Sequence, residues 1–433
     1  MLGGGTFTTQ NKVLPGTYHN FVSKTSGTSN LGERGVVAMP VALKWGVAGE
    51  VMTVTAKEFY SDTFKIFGYN YTDSELLEIR EVFKHASKVY FYNLGDTGGT
   101  ASQAQQTGVP TIASAKKVGS RGNDLKIVIE KNVDDTSLFD VTLYLGTAIV
   151  HEQTVSSISE LSENDYVEWC GSDESLKVTA GLAFTGGKDG TVSATSYQNA
   201  LNAFESYQFN ILVCPDASVS EVYAAYTKRL RDDRGIKFQT VIPNVINVDY
   251  EGVVQLLAEQ PVASWVAGAL AGCAVNASCT NMTYDGEKTI PTTHTQVELE
   301  NLIKTGVFAF HKVYDEVHVL VDVNSLVTYT DEKGKDFASN QTIRVIDQCG
   351  NDTAKIFNTK YLGKIQNDKN GRVSLWNDVL THRRELETLR AIEAYDSGLL
   401  VIEQGKDKHS VVVTEEITPI GSMEKLYITT VIN

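Results

Sequence analysis

An interrupted alternation sets the tightest limit on this fold. From Thr72 a helical pattern places Leu76, Ile79, Phe83 and Ala86 on one face, with Asp73 or Thr72 able to cap it, and KVYFYNL follows as a buried strand. That pair opens an α/β layer. The alternation then stops. From about Gly95 to Phe184 a Gly/Ser/Thr linker leads into short strands, LKIVIE, FDVTLYLG and TAIVHEQT, with YVEW readable as strand or helix. After Gly190 helix and strand alternate again, through NILVCP, KFQTVIP and the Ala/Gly-rich helix VASWVAGALAGCAV, whose small residues permit close packing. A β block inside an α/β series predicts a domain inserted at a loop, because loop tips accept insertions best.

The predicted class is therefore α+β multidomain: an α/β middle domain in two parts, 26–95 and 189–335, interrupted by a β-rich domain at 96–188. Beyond it, helices from Ser339 to the Gly363 break and from Ser374 to Tyr395 precede a β ending. The second helix carries Leu375, Val379, Leu386, Leu389 and Ile392. Both chain ends read as extended. Phe7, Thr8 and Val13 lie in an N-terminal stretch with a turn at Pro15-Gly16. In KLYITTVI, Leu426, Ile428 and Ile432 fall on one side and Tyr427, Thr429 and Val431 on the other. Such a strand can complete a foreign sheet edge.

Composition narrows the function. No window approaches 18 uninterrupted apolar residues, so no membrane span is expected. The N-terminus lacks a basic start and an apolar core, which predicts retention in the cytoplasm. The five cysteines form no CxxC pair, and Cys214 and Cys273 sit in apolar runs as reduced thiols. Net charge is −15 without a Lys/Arg cluster interleaved with aromatics, which argues against nucleic-acid binding. Of 38 basic and 53 acidic residues, 14 and 16 lie from Asp331 onward, so the acidic excess belongs to the first 330 residues. The C-terminal quarter is near neutral and better suited to close contact with another subunit.

Catalytic motifs fail on inspection. LAFTGGKDG has Gly181 and Gly186 at phosphate-loop spacing, but Gly187 stands in the lysine place and Asp189 follows Lys188, the wrong charge for phosphate. A plain turn is the alternative. His151-Glu152 has no second histidine four residues on, and His294, His311 and His318 show no metal-ligand spacing. No GxSxG elbow exists. Cys214, before Pro215 at a strand end, leaves open an α/β enzyme of the thiol-hydrolase type, which would need a cationic neighbour to lower its pKa. Arg383, Arg384 and Arg390 share the long helix, with Glu387 at contact spacing. They form either a solvated face or a basic stripe for an acidic partner.

Several segments in chain order resemble the contractile phage tail sheath family, in its Gram-positive phage and prophage branch. They are GGTFTTQNKVLPGTYHNF, RGVVAMPVALKWG, SRGNDLKIVI, FTGGKDGTVSATSYQNALNAFE, VASWVAGALAGCAVNAS with NMTYDG, TGVFAF, VDVNSLVTYT and KYLGKIQNDKNGR. The resemblance implies a structural subunit without catalytic residues, cofactor or metal. It implies a discontinuous inner domain built from both ends, here 1–25 and 336–433, and hexameric rings stacked around an inner tail tube protein. Terminal arms would add strands to neighbouring subunits through Phe7, Thr8, Val13, Leu426, Tyr427, Ile428, Thr429, Val431 and Ile432. Arg383, Arg384 and Arg390 would face the tube. The implied partners are further copies of the chain, the tube, and baseplate and tail terminator proteins, with no nucleic acid and no membrane. The implied location is the virion tail sheath, assembled in the host cytoplasm.

Overall fold

In the computed structural model, which describes residues 31–432 apart from 48, 96–97, 106–110 and 172–175, the first strand explains the layers around it. β1 (Val36–Val41) is buried along all but its last residue. Val37 and Met39 enter one hydrophobic cluster, Val36 and Ala38 another. A strand apolar on both faces belongs inside a parallel sheet covered twice. β2 (Val51–Thr55) runs through a Thr55–Glu58 capping box into α1 (Ala56–Phe67), followed by α2 (Leu77–Phe83) and β3 (Lys88–Asn93). β3 lies parallel to β1, and β2 closes that side as an antiparallel edge.

The chain then leaves this sheet to build another. β4 (Gln103–Ala104), β5 (Ala113–Ala115), β6 (Leu125–Lys131), β7 (Phe139–Leu145), β8 (Ala148–Val155), β9 (Val167–Trp169) and β10 (Thr179–Thr185) form an antiparallel sheet in the order β8-β7-β6-β10-β4-β5-β9. Most of its core is its own: Leu125, Ile127 and Ile129 of β6 meet Val141, Leu143 and Phe184. Exit and return run side by side. A Cβ on Gly190 would lie 2.1 Å from the Gly95 carbonyl oxygen, so the two crossings touch backbone to backbone. Trp45, from the first unit, is buried in the second core with the Lys117 ammonium 5.6 Å from its ring.

On return, α3 (Ala194–Phe204), β11 (Ile211–Val213), α4 (Ser220–Asp233), β12 (Gln239–Ile242), β13 (Val253–Leu256), α5 (Ala263–Gly272), α6 (Gln296–Lys304) and β14 (Val307–Phe308) complete the first sheet as β14-β13-β12-β11-β1-β3-β2. β11 pairs directly with β1, so chain from either side of the β-rich block shares one sheet. α1, α2 and α5 cover one face; α3 and α4 cover the other. A Cβ on Gly268 or Gly272 of α5 would meet the carbonyl oxygen of Val82 at 2.3 Å or of His85 at 2.2 Å. Glycine at both positions is what lets α5 lie against α2.

β15 (Phe310–Val313) and β16 (Glu316–Val319) form a hairpin. α7 (Asn340–Ile356) follows, then a π turn at Phe357–Tyr361 and α8 (Lys369–Thr388), capped by Asp368. α8 starts earlier than its apolar pattern predicts and ends about two turns earlier. β17 (Val401–Gln404) and β18 (Val411–Thr414) form a two-stranded ladder. α7 and α8 share a core of Val345, Cys349, Val379, Leu386 and Ile392. Asn340, Arg344, Asp347 and Asn351, along one side of α7, bond instead to the parallel-sheet unit. Arg231 grips Asp347 at 2.6 and 2.8 Å, Arg344 pairs with Asp322 at 3.2 Å, and Gln239 donates to Asn340 at 2.8 Å. Burial disfavours the Arg231 charge, but Asp347 outweighs it and holds the guanidinium pKa above its usual value. The mixed α/β multidomain class is as the sequence predicts. Among the described residues no helix is long and apolar enough to cross a membrane.

Candidate assembly surfaces

The C-terminal segment is a chain without a home in its own globule. Residues 418–420 still pair with 391–393: Glu393 N–H donates to Thr418 and Ile420 N–H to Ala391. Ser422 N–H donates to Gln341, and the Thr280 hydroxyl to Glu424 at 2.8 Å. No strand forms beyond β18, and no hydrogen bond reaches 425–432 among the described residues. Leu426, Tyr427, Ile428, Val431 and Ile432 are between 74% and 92% exposed, and Thr429 is exposed beside them. An alternating apolar segment left in water on both faces is a candidate docking surface. Phe7, Thr8 and Val13 lie outside the described residues.

The roots of both ends are well held. Gly32 N–H donates to Asp352 Oδ1 at 3.0 Å, where a Cβ on Gly32 would lie 2.5 Å from that oxygen. Asp352 Oδ2 accepts from Gln348 Nε2 at 2.6 Å and is 2.8 Å from His382 Nε2. His382 Nδ1 is 2.5 Å from Arg383 Nη1. Arg383 forks onto Glu415 at 2.9 and 2.6 Å, and the Tyr395 hydroxyl donates to the same carboxylate. Burial raises the Glu415 pKa, but Arg383 and Tyr395 outweigh that and hold it below the usual carboxylate value. Local spacing does not reveal this set, because its members are far apart in the chain. One signal was available: His382 interrupts the apolar stripe of Val379 and Leu386 on α8, and a polar residue on a core-facing stripe needs a partner.

Of the three arginines read as a stripe, Arg383 is 2% exposed with its guanidinium committed to Glu415, so it is not part of an exposed basic face in this fold. Arg384 is exposed and ion-paired with Glu387 in its own helix. Arg390 lies past the end of α8 with a left-handed φ of 60°. Cations, exposed but for the half-buried Arg372, converge at the other end of α8. Lys364, Arg372, Lys408 and His409 line a cleft of about 550 Å³ with Tyr361 and Ile365, and no carboxylate lines it.

The thiol-hydrolase alternative loses its chemical basis. Cys214 is 1% exposed, burial pushes its pKa up to about 12, and its thiol donates to the Asp216 carbonyl. A cleft of about 490 Å³ does open at the carboxyl ends of the strands, where open parallel sheets hold ligands. Its rim carries Pro40, Pro215, Pro243 and Pro261, which offer no N–H to an anion, and no histidine lines it. In the GGKDG segment Asp189 accepts from Ser120 N–H and Oγ, and Gly187 N–H donates to Asn123, so the loop is a brace for the β-rich unit. His151 sits on β8, and His311 faces His318 across the β15–β16 hairpin. Among the described residues no group of three His, Cys, Asp or Glu side chains is placed to hold a metal.

Comparison with known proteins gives these surfaces a context. Four family models match consecutive stretches: the tail sheath protein Gp18 domain III N-terminal region at 34–94, the phage tail sheath β-sandwich domain at 97–189, its central domain at 190–325 and its C-terminal domain at 332–433. The chain is 32% identical to protein XkdK of the phage-like element PBSX of Bacillus subtilis, over the whole of both chains. The crystal structure of a sheath tail protein from Desulfitobacterium hafniense is 35% identical with a TM-score of 0.79, covering 95% of this chain and 99% of that one. A second, from Listeria innocua, is 29% identical with a TM-score of 0.80, covering 93% and 96%. The contracted helical sheath of the anti-feeding prophage shares the fold at 8% identity and a TM-score of 0.57, covering 96% and 98%.

Proposed function

This chain belongs to the phage tail sheath protein family, and from that premise we propose that it polymerises as stacked hexameric rings around an inner tube and drives that tube by contracting. Residues 26–95 and 189–335 act as the middle domain, 96–188 as the outer decoration, and 1–25 with 336–433 as a discontinuous inner domain. Further copies of the chain, a tube protein, and baseplate and terminator proteins are its partners.

The observation that carries this reading is the apolar, alternating and unpartnered segment 425–432. Seated as a strand on a neighbour's sheet edge, it gains main-chain hydrogen bonds at about 0.5–1.5 kcal/mol net each. Burying its Leu, Ile and Val side chains adds about 1.5–3 kcal/mol apiece. The β17–β18 ladder, with only two strands and Val401, Val412 and Val413 exposed, offers edges of the right kind. Such links persist through rigid-body movement because the segment can swing from its root without opening the core. The tube-facing role rests with Arg384, Arg390 and the cationic cleft at Lys364, Arg372 and Lys408. Contraction draws on a metastable extended lattice and not on nucleotide, consistent with Asp189 occupying the would-be phosphate loop.

Deleting 422–433 tests the reading. Circular dichroism is expected to show an unchanged fold, and electron microscopy of the protein co-expressed with its tube protein is expected to show bare tubes. Normal sheaths built from the truncated chain would refute it.

A further inference from the structure

We propose that the buried chain Gly32–Asp352–His382–Arg383–Glu415 is a splice joining the two terminal arms to each other inside one subunit, with His382 as its positioning residue. The proposal rests on the arm-lacing reading above, since it concerns how a subunit carries load that enters through one arm and leaves through the other.

The chemistry of the chain fixes its direction. A guanidinium only donates, so His382 Nδ1 must present its lone pair to Arg383 Nη1 at 2.5 Å. The ring proton then sits on Nε2 and is donated to Asp352 at 2.8 Å, which makes His382 a two-sided connector. Asp352 turns its other oxygen to Gly32 N–H, and Arg383 donates from Nε and Nη2 to Glu415, with Nη2 also reaching the Thr353 hydroxyl. His382, Arg383 and Asp352 are 0%, 2% and 3% exposed.

Stability alone does not call for this arrangement. The same two helices already meet through Val345, Cys349, Val379 and Leu386, and an apolar pair at 352 and 382 would hold them at least as well. What the polar chain adds is its endpoints. One end is the backbone of Gly32, where the N-terminal segment enters the globule. The other is Glu415, directly after β18, at the start of the stretch that runs through the contacts of Thr418, Ile420, Ser422 and Glu424 to the free segment. Gly32 is built for the contact, since any Cβ there would collide with Asp352. A satisfied buried network specifies one geometry for all its members, so displacement at one root is felt at the other.

Two measurements test the splice. Hydrogen exchange at the Gly32 amide in the full-length subunit is compared across variants. Glu415→Gln is expected to speed that exchange about tenfold and to have no further effect in a His382→Leu background. His382→Gln retains an amide donor for Asp352 and an oxygen acceptor for Arg383, and is expected to restore the response. Unchanged Gly32 exchange in Glu415→Gln alone overturns the proposal, even where His382→Leu fails to fold. In assembled particles, His382→Leu sheaths are expected to break between rings on contraction and His382→Gln sheaths to stay continuous; continuous contraction of the leucine variant also overturns it. Failure of the arm reading would show separately, as normal assembly of the 422–433 deletion.

Discussion

Glu415 shows how much one carboxylate can control. Its folded pKa lies below the usual carboxylate value because Arg383 and Tyr395 favour the charged form more than burial opposes it. The stabilisation is therefore present above the unfolded pKa and is lost as pH falls through the depressed folded value. The charged or titratable groups around it are Arg383, Tyr395, His382 and Cys349. Thermal unfolding followed from neutral to acidic pH is expected to show a loss of stability below about pH 4.5. Glu415→Gln is expected to lower the neutral plateau and shrink that loss; an unaltered pH profile would remove Glu415 from the account. The same residue explains what local spacing could not tell. Arg383, Arg384 and Arg390 read as one stripe only if the helix runs to Tyr395, whereas α8 stops at Thr388. Arg383 is held by a carboxylate on the far side of the β17–β18 ladder, and a guanidinium with a distant partner looks identical in sequence to a free one.

Among the elements, α7 carries two loyalties. Val345, Cys349 and Ile356 bind it to α8, while Asn340, Arg344, Asp347 and Asn351 bind it to the parallel sheet through buried polar contacts. Removing one member of a buried ion pair strands the other, so Asp347→Ala is expected to cost about 3–5 kcal/mol by leaving Arg231 unpaired. Chemical denaturation reads this out, and a cost below about 1 kcal/mol would show that water reaches the site. Element legibility followed signal strength. α5 was readable from its composition. α1 was not: its buried positions Phe59, Thr63 and Phe67 include a threonine, Tyr60 is exposed, and Asp62 breaks the helical geometry at φ −125°. A kinked helix with a mixed face leaves little periodicity to find. The terminal strand was legible as a pattern, but a strand needs an edge, and this globule lends it none.

At the scale of the whole molecule, the interruption that organised the sequence also organises the structure. Excising 96–189 and joining Gly95 to Gly190 is expected to leave the parallel sheet folded, because the two ends already touch. The excised chain is expected to lose about 2–3 kcal/mol from uncovering Trp45, together with the contacts of Lys117 and Arg121 to the backbone at Ile66 and Gly68. Amide exchange in β1 and β11 would check this; rapid exchange there would mean that the two units fold as one. Overall class and the β insertion were readable because each is written in many residues. The buried contacts that fasten the roots were not, since each is written in two or three residues far apart.

The Gly95–Gly190 contact has a practical corollary. The β-rich unit can be exchanged there like a shade on a lamp stem, provided that the new fitting again covers Trp45 and caps the backbone at Ile66 and Gly68. Surface character and ornament can diversify beyond that fitting.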